Sequence, residues 1–451
     1  MDLTELLLQP EGKTLEFKRD LSSPAGVLRT VVAFANTSGG IVLIGVDDGT
    51  RAVRGVSDPL ALEERVASLV SDSILPRVLP DIELLAFRST HVLAVRIHPS
   101  AARPHHLVRS GPEAGAYVRV GSTNRQADPE LLAEMRRFVR GEAFDEQPMP
   151  DLEVDAVDVD AVRSAFEDIR TLRRTDLDTL RLTVRHQGRT VPTVGGVLLF
   201  GRERLAHFPD AWVQAGRFAG TDRSRIVDQA EIVSYPTEAV PEAVAFVEKH
   251  GLHGVRIGAV QRTSVRSLPP VAVREALVNA LVHADYAQRG APVRVALFDD
   301  RLEIENPGLL PFGLTLDDLP RGVSKLRNRV LGRTFKELGL VEQWGSGVQR
   351  MIGTCREAGL PPPEWEEIGT RLRVTLRTGA DGTAALDPKD RAILDVLGAA
   401  AGLRTREVSE AVGLSVRATR QRLARLAALG EVREIGSGPT DPQRRYFRAD
   451  G

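Results

Sequence analysis

The sequence predicts a multidomain protein of the α/β and α+β classes, and three observations carry that expectation. The chain has 451 residues with 42% hydrophobic content, more than a single core usually organises. Strand-length apolar runs alternate with helical periodicity through most of its length. Two stretches with linker composition, 141–160 and 379–388, divide it into three parts.

In the first part, 1–140, a short amphipathic helix precedes the strand-like Thr14-Leu15-Glu16-Phe17-Lys18. A helix is expected around Val27 to Asn36, then Gly39-Gly40 and the buried-strand run Ile41-Val42-Leu43-Ile44-Gly45-Val46, closed by the turn Asp47-Asp48-Gly49. A helix near Leu60 to Ser71 follows, then strands around Ile82 to Phe87, His91 to Ile97 and Ala116 to Gly121, and a helix from Pro129 to Arg140. His105-His106 follow Pro104 with no cysteine nearby and read as a solvated pair.

The second part, 161–378, is expected to open with strands at Gly196-Val197-Leu198-Leu199-Phe200 and Trp212 to Phe218. Its later portion, 269–378, begins with a helix whose apolar pattern is interrupted by Glu275 and Asn279. Residues i and i+4 share a helix face, so this carboxylate and carboxamide can address one bound group, such as a metal ion on a triphosphate. Two strands, Val293 to Phe298 and Arg301 to Asn306, lead into the turn Asn306-Pro307-Gly308. Trp344-Gly345-Ser346-Gly347 then opens another helix, where free backbone amides and the helix dipole suit phosphate.

The third part, 389–451, shows three helical patterns and a hairpin. The helices run to about Leu397, from Thr405 to Val412, and from Ser415 to before Gly430, with Thr405 and Ser415 as N-caps. Glu431 to Ile435 and Arg444 to Arg448 form the hairpin. On the third helix Arg417, Arg420, Gln421 and Arg425 face away from the apolar Val416, Leu423 and Leu426.

Composition excludes several classes. The single Cys355 rules out an internal disulfide framework or a cysteine metal cluster, and no apolar run is long enough to span a bilayer. The start Met1-Asp2-Leu3-Thr4-Glu5 lacks the features of a signal peptide, so a cytoplasmic location is expected. With 60 basic and 61 acidic side chains, nucleic-acid affinity must come from local patches.

The elements of 269–378, in their order, resemble the GHKL-type ATPase domain shared by gyrase, histidine kinases and MutL, in a divergent form. The resemblance implies an α/β sandwich binding ATP and Mg²⁺, with Glu275 activating water and Asn279 holding the metal. Asn306 stands where an adenine-reading Asp is usual; it still accepts a hydrogen bond but carries no charge. Gly308 belongs to that turn, Gly345 and Gly347 match the phosphate-lid glycines, and Lys325, Arg327 and Asn328 are candidate lid contacts.

Glu11 to Arg19, Ala33 to Gly40 and Ile44 to Gly49 resemble the Schlafen-type AlbA-like domain. The resemblance implies an α+β nucleic-acid-binding domain. It carries the nuclease carboxylates onto Glu11, Glu16 and Asp48, with Mn²⁺ or Mg²⁺ as the metal and RNA or single-stranded DNA as the substrate. Glu16 paired to Lys18 or Arg19, and Asp48 as an ordinary turn residue, are the structural alternatives. The third part resembles a winged helix-turn-helix, which implies double-stranded DNA as partner through Arg417, Arg420, Gln421 and Arg425.

The joint order resembles predicted bacterial transcriptional regulators. The leading expectation is a nucleotide-responsive, DNA-binding regulator acting as a homo-oligomer, in which nucleotide alters the spacing of two recognition helices. The alternatives are a Schlafen-like nuclease gated by the ATPase domain, in stress or phage defence, and an adaptor with a purely structural nucleotide fold.

Overall fold

The computed structural model describes residues 2–250, 255–257, 262–264, 268–341, 346–378, 388–398, 402–428, 431–435 and 444–449. It falls into two compact units, one made of 1–128 with 382–451 and the other of 129–381. Among the described residues no helix is long and apolar enough to cross a membrane.

The first unit is built on a four-stranded sheet in which Leu15–Lys18 runs parallel to Gly40–Ile44, followed by antiparallel Thr90–Ile97 and Asp81–Phe87. Parallel neighbours need a crossover, and helix Pro24–Asn36 supplies it. Pro24 suits the first helical turn, where its missing N–H is no loss. The helix buries Val27, Val31, Val32, Phe34 and Ala35 against the sheet. The Gly39-Gly40 pair follows from that packing. Gly39 has φ +77°, and a Cβ on it would lie 2.6 Å from the Ile97 carbonyl oxygen, while one on Gly40 would lie 2.7 Å from the Phe34 ring.

At the end of the same helix Asn36 is fully buried and reads three backbone groups. Its amide donates to the carbonyls of His105 and Tyr117, both at 2.9 Å, and its oxygen accepts from the His105 N–H at 2.7 Å. His105 is therefore not solvated as expected: it is buried, with Nδ1 2.7 Å from the Pro76 carbonyl oxygen.

The C-terminal residues of this unit form helices Pro388–Gly398, Thr405–Val412 and Val416–Ala428, then antiparallel strands Val432–Ile435 and Arg445–Arg448. Ile393, Leu397, Val408, Leu423, Leu426 and Tyr446 make its core. Ser415 caps the third helix, accepting from the Ala418 N–H at 3.2 Å. Thr405 does not act as N-cap: Arg404 precedes the helix, and its N–H is held by the Glu407 carboxylate at 2.7 Å. Val416, expected on the buried side, is 43% exposed and lies outside the core cluster. The hairpin is itself docked: Ile435 and Phe447 pack with Leu3, Leu6, Leu7, Leu15 and Phe17, and Arg433 Nη1 donates to the Leu8 carbonyl at 2.5 Å.

The second unit holds a six-stranded sheet in the spatial order Ile226–Ile232, Val213–Phe218, Val293–Leu297, Arg301–Pro307, Arg371–Arg377, Glu364–Ile368. Only Val213–Phe218 and Val293–Leu297 are parallel. Helices Pro236–Lys249, Pro270–His283 and Gly347–Glu357 contribute to one continuous apolar core with Val213, Val295, Leu302 and Ile304.

Three expectations change here. Residues 196–200 are not a strand but part of helix Val194–Phe200, capped by Thr193, whose hydroxyl accepts from Gly196 N–H at 3.0 Å. A short run that is apolar on every side fits a buried helix as well as a buried strand. The stretch 141–160 is no free linker. Asp145 is fully buried and accepts from the N–H groups of Arg329, Val330 and Leu331 at 2.9, 2.6 and 3.0 Å, capping helix Arg329–Glu337. Helix Pro129–Arg140 groups with this second unit, where Phe138 meets Phe312 edge-on at 5.6 Å. The second expected linker lies outside the described residues except for Pro388, which starts a helix.

Candidate nucleotide site and nucleic-acid surfaces

Helix Pro270–His283 places Glu275 and Asn279 on one face, with Glu275 buried and Asn279 half-buried. The start of helix Gly347–Glu357 lies directly against them. A Cβ on Gly347 would come within 2.6 Å of Glu275 Oε2 and 3.7 Å of Asn279 Nδ2, so any larger residue would have to push the Glu275 carboxylate aside. One turn along, Arg350 Nη1 stands 3.5 Å from Glu275 Oε1, and Arg274 Nη1 stands 3.8 Å from the same atom. A carboxylate, a carboxamide and a glycine-opened helix N-terminus form a donor set that fits a metal-bound polyphosphate. Gly345 lies outside the described residues.

The base end that the resemblance implies falls on the turn after strand Arg301–Pro307. Asn306 is buried, and its Nδ2 donates to the Pro307 carbonyl at 3.0 Å. Gly308 has φ +100°, and a Cβ there would meet Asp285 Cβ at 2.9 Å and Arg327 Cζ at 3.2 Å. Asn306 carries no carboxylate, but the buried Asp285 lies against Gly308 in the same turn.

The guanidinium of Arg327 fills the space over Gly308. It is paired with Glu134, lies 4.0 Å from Asp285 Oδ2 and donates to the Leu309 carbonyl at 2.5 Å. The other candidate lid residues are also engaged. Lys325 donates to the Phe312 carbonyl at 3.0 Å, and Asn328 donates to Val282 and Ala284 at 2.9 and 2.7 Å, closing the end of helix Pro270–His283. The phosphate end of the site therefore fits the group that the fold implies. At the turn, Arg327 already occupies the space over Gly308.

His283, at the end of the Glu275/Asn279 helix, has Nδ1 buried with no hydrogen-bond partner among the described residues. Burial, assisted by Arg327, pushes its pKa down to about 4. The folded state thus holds this imidazole neutral, whereas the unfolded chain protonates it below about pH 6.5. Its stabilising contribution is fully present above that pH and is lost as pH falls towards 4, amounting to about 3 kcal/mol by linkage. Urea unfolding followed by tryptophan fluorescence should show this loss, and His283→Gln should flatten it. An unchanged profile in the variant would mean that another group titrates.

In the first unit, Glu11 Oε1 accepts from the Phe17 N–H at 2.6 Å. Burial raises the Glu11 pKa against that hydrogen bond; neighbouring Glu16 and a hydrogen-bonding contact with Asp48 add to the rise. Glu11 and Asp48 are therefore brought together. Glu16 is drawn into another network: it pairs with Lys18 and, at 2.5 Å, with Arg119 Nη2. Arg119 is 0% exposed. Its remaining donors reach the Gly12 and Leu15 carbonyls and Asn124 Oδ1 at 2.9, 3.4 and 2.9 Å. Among the described residues, no group of three or more His, Cys, Asp or Glu is disposed to hold a metal ion.

On helix Val416–Ala428, Arg417, Arg420 and Gln421 are exposed. Arg425 is partly committed to structure, with Nη1 3.3 Å from the buried carboxylate of Asp390, which Arg422 also holds at 2.6 Å.

Sequence reasoning missed Arg119, Asp285, Glu134 and Arg350. Asp285 and Arg350 lie within runs already singled out, so their proximity was available; Arg119 and Glu134 act on residues 103 and 193 positions away, for which no local signal exists.

Comparison with known proteins follows this geometry. Residues 11–128 match the family described as Schlafen, AlbA_2, and residues 386–432 match the winged helix-turn-helix DNA-binding family. Residues 290–376 match the family described as putative ATP-dependent DNA helicase recG C-terminal; that match begins beyond the Glu275/Asn279 helix. The chain therefore joins three modules: a Schlafen AlbA_2 domain, an ATPase-like domain of the recG C-terminal type and a winged helix-turn-helix.

Among solved structures, the chain is similar to the DIP2311 protein of Corynebacterium diphtheriae, at 21% identity over 97% of this chain and 79% of that one, with a TM-score of 0.39. It is also similar to the N-terminal domain of a putative ATP-dependent DNA helicase RecG-related protein of Nitrosomonas europaea. There the identity is 26% over 28% of this chain and 94% of that one, with a TM-score of 0.23. No curated protein matches the chain.

Proposed function

We propose that this protein is a nucleotide-responsive, DNA-binding transcriptional regulator that binds ATP with Mg²⁺. The observation that carries the nucleotide half is the close approach of Gly347 to Glu275 and Asn279, which sets a helix N-terminus beside a carboxylate and a carboxamide. Mg²⁺ bound there would neutralise phosphate charge. Asn279 would contribute a neutral oxygen ligand, Glu275 would orient a water, and the amides from Gly347 onward would face phosphate oxygens. Arg350 would hold the Glu275 carboxylate in place.

The response to nucleotide runs through Arg327. A base seated over Gly308 would displace this guanidinium and so release Glu134, on helix Pro129–Arg140, whose first residue directly follows the first unit in sequence. Isothermal titration with ATP and Mg²⁺ tests the site: binding is expected, and Asn279→Ala should abolish it. No heat at millimolar nucleotide, or the same heat in the variant, overturns the reading.

The DNA half rests on the exposed side chains of the third C-terminal helix, which provide donors for base edges and phosphates in the major groove. The Arg417→Ala/Arg420→Ala double variant should weaken duplex binding and lower the salt slope by about 2, one unit for each phosphate contact removed. Full salt-dependent affinity in the variant would refute the recognition-helix assignment.

The contact between Glu11 and Asp48 favours a second reading, a metal-dependent nuclease acting on RNA or single-stranded DNA. Two carboxyl groups in contact share a proton or a cation, and Mn²⁺ or Mg²⁺ between them would polarise a phosphodiester. Incubation of tRNA with Mn²⁺ and the Asp48→Asn variant tests it; cleavage that survives the substitution would place the activity elsewhere.

A further inference from the structure

Side chains alternate across a strand, so Leu302 and Ile304 face the apolar core of the second unit while Glu303 and Glu305 face the other side of the sheet. Register across that side sets Gln214, Arg294, Glu305 and Arg373 in one row, and Gly216, Ala296, Glu303 and Thr375 in the next.

The two glutamates are only 6% exposed and lie among guanidinium groups. Arg223 reaches them at 3.0 and 2.8 Å, and Arg373 holds Glu305 at 2.7 Å. Arg371 Nε stands 3.4 Å from Glu305, and its Nη2 donates to the Pro292 carbonyl at 2.6 Å, carrying the side chain towards the strand that bears Arg294. Arg294 has no ion pair among the described residues, and its Nε is buried without a hydrogen-bond acceptor.

Arg301 Nε also holds Glu303 at 2.7 Å, so four arginines, Arg223, Arg301, Arg371 and Arg373, share two buried carboxylates, and Arg294 adds a fifth guanidinium beside Arg371. The nearby Glu366 is 65% exposed and 3.8 Å from Arg373, where water screens it. Burial lowers the Arg371 pKa, and its neighbours Arg294 and Arg223 lower it further while Glu305 opposes them. Crowded guanidinium groups of this kind are relieved by an oxyanion that accepts from several at once.

The adjoining surface is aromatic. A Cβ on Gly216 would lie 3.1 Å from the Phe218 ring, so glycine makes room for that ring to lie on the sheet, where it stacks on Phe298 at 5.2 Å and 19°. Phe218 is half-buried. Guanidinium groups beside an aromatic ring on an open sheet form the combination that binds a single strand, with phosphates on the arginines and a base on the ring. A free phosphate would use only the first half of it.

We propose that this sheet face binds single-stranded nucleic acid, with Arg294 and Arg371 as phosphate ligands, Arg223 and Arg373 held in place by Glu303 and Glu305, and Phe218 as a stacking platform. This surface shares no residue with the Glu275/Asn279 site or with the C-terminal recognition helix.

Fluorescence anisotropy on the full chain, with a labelled oligothymidylate and with a mixed-sequence duplex over a range of salt, tests it. Arg294→Ala/Arg371→Ala should weaken single-strand binding at least about tenfold and reduce its salt slope by about 1.4, which is about 0.7 for each of two phosphate contacts. Phe218→Ala should weaken it about fivefold or more while leaving the slope unchanged. Arg417→Ala/Arg420→Ala should impair duplex binding only, so failure of the recognition helix and failure of this surface are distinguishable. Circular dichroism checks folding, and Arg294→Lys/Arg371→Lys should restore part of the affinity.

The proposal is overturned if the wild type does not bind the single strand, or if the alanine pair leaves affinity and slope unchanged. It is equally overturned if that pair alters only the oligomeric mass, which would make the face an interface between copies.

Discussion

Replacing Arg327 with alanine is expected to destabilise the second unit by about 3–5 kcal/mol, because the buried Asp285 and the partly buried Glu134 would keep their carboxylates without the cation between them. All three tryptophans, at 212, 344 and 365, belong to this unit, so tryptophan fluorescence in urea reports it selectively. Replacing Glu134 as well, as in Glu134→Leu/Arg327→Met, should recover the part of the loss that comes from Glu134, while Asp285 still lacks its cation. If the double variant retains the second unit's stability, it should also bind ATP more tightly than the wild type, with the guanidinium gone from the space over Gly308. A loss below about 1 kcal/mol in the single variant would show that water already reaches the pair.

Arg119→Met is expected to be the most damaging single change in the first unit. It removes hydrogen bonds to Gly12, Leu15 and Asn124 and leaves Glu16 with only Lys18. A loss of about 3–5 kcal/mol follows, read as faster hydrogen exchange across strand Leu15–Lys18 and its neighbours. Retained protection there would contradict it. Glu16 then serves the fold before any chemistry, so a loss of nuclease activity in Glu16→Ala would not separate catalysis from unfolding. Asp48→Asn avoids the arginine network and is the cleaner probe.

Much of this architecture is legible in the sequence because it is local. The crossover helix with Gly39-Gly40, the Glu275/Asn279 helix with its following strands, and the three C-terminal helices all announce themselves through spacing and turn residues within a short window. Residues 196–200 fail on the same logic: an apolar stretch buried on all sides has no period to read. Asp145 fails for a different reason. In the sequence it sits among Pro, Asp and Glu, and its role as a cap for residues 329–331 appears only once the chain has brought those segments together.

At the candidate site, the pair on the helix and Gly347 are readable, as is the departure at Asn306. The occupation of the base end by Arg327 is not, because its partner Glu134 lies in a helix assigned by composition to the preceding domain. Gly345 lies outside the described residues and adds nothing in either direction.

The docking of the hairpin on helix Leu3–Leu8 has a consequence for biosynthesis. Leu8 and Arg433 are 425 positions apart, so the apolar surface of Leu3, Leu6 and Leu7 leaves the ribosome long before Ile435 and Phe447 exist to join it. An unstructured loop of that length would close at an entropic cost of about 5 kcal/mol; a middle segment that folds first shortens the effective loop and lowers the cost. Leu15, Phe17, Leu43, Val53 and Val92 cover part of that surface early, so the nascent chain should expose only the part that Ile435 and Phe447 later cover, and chains released without their last residues should be the more aggregation-prone ones.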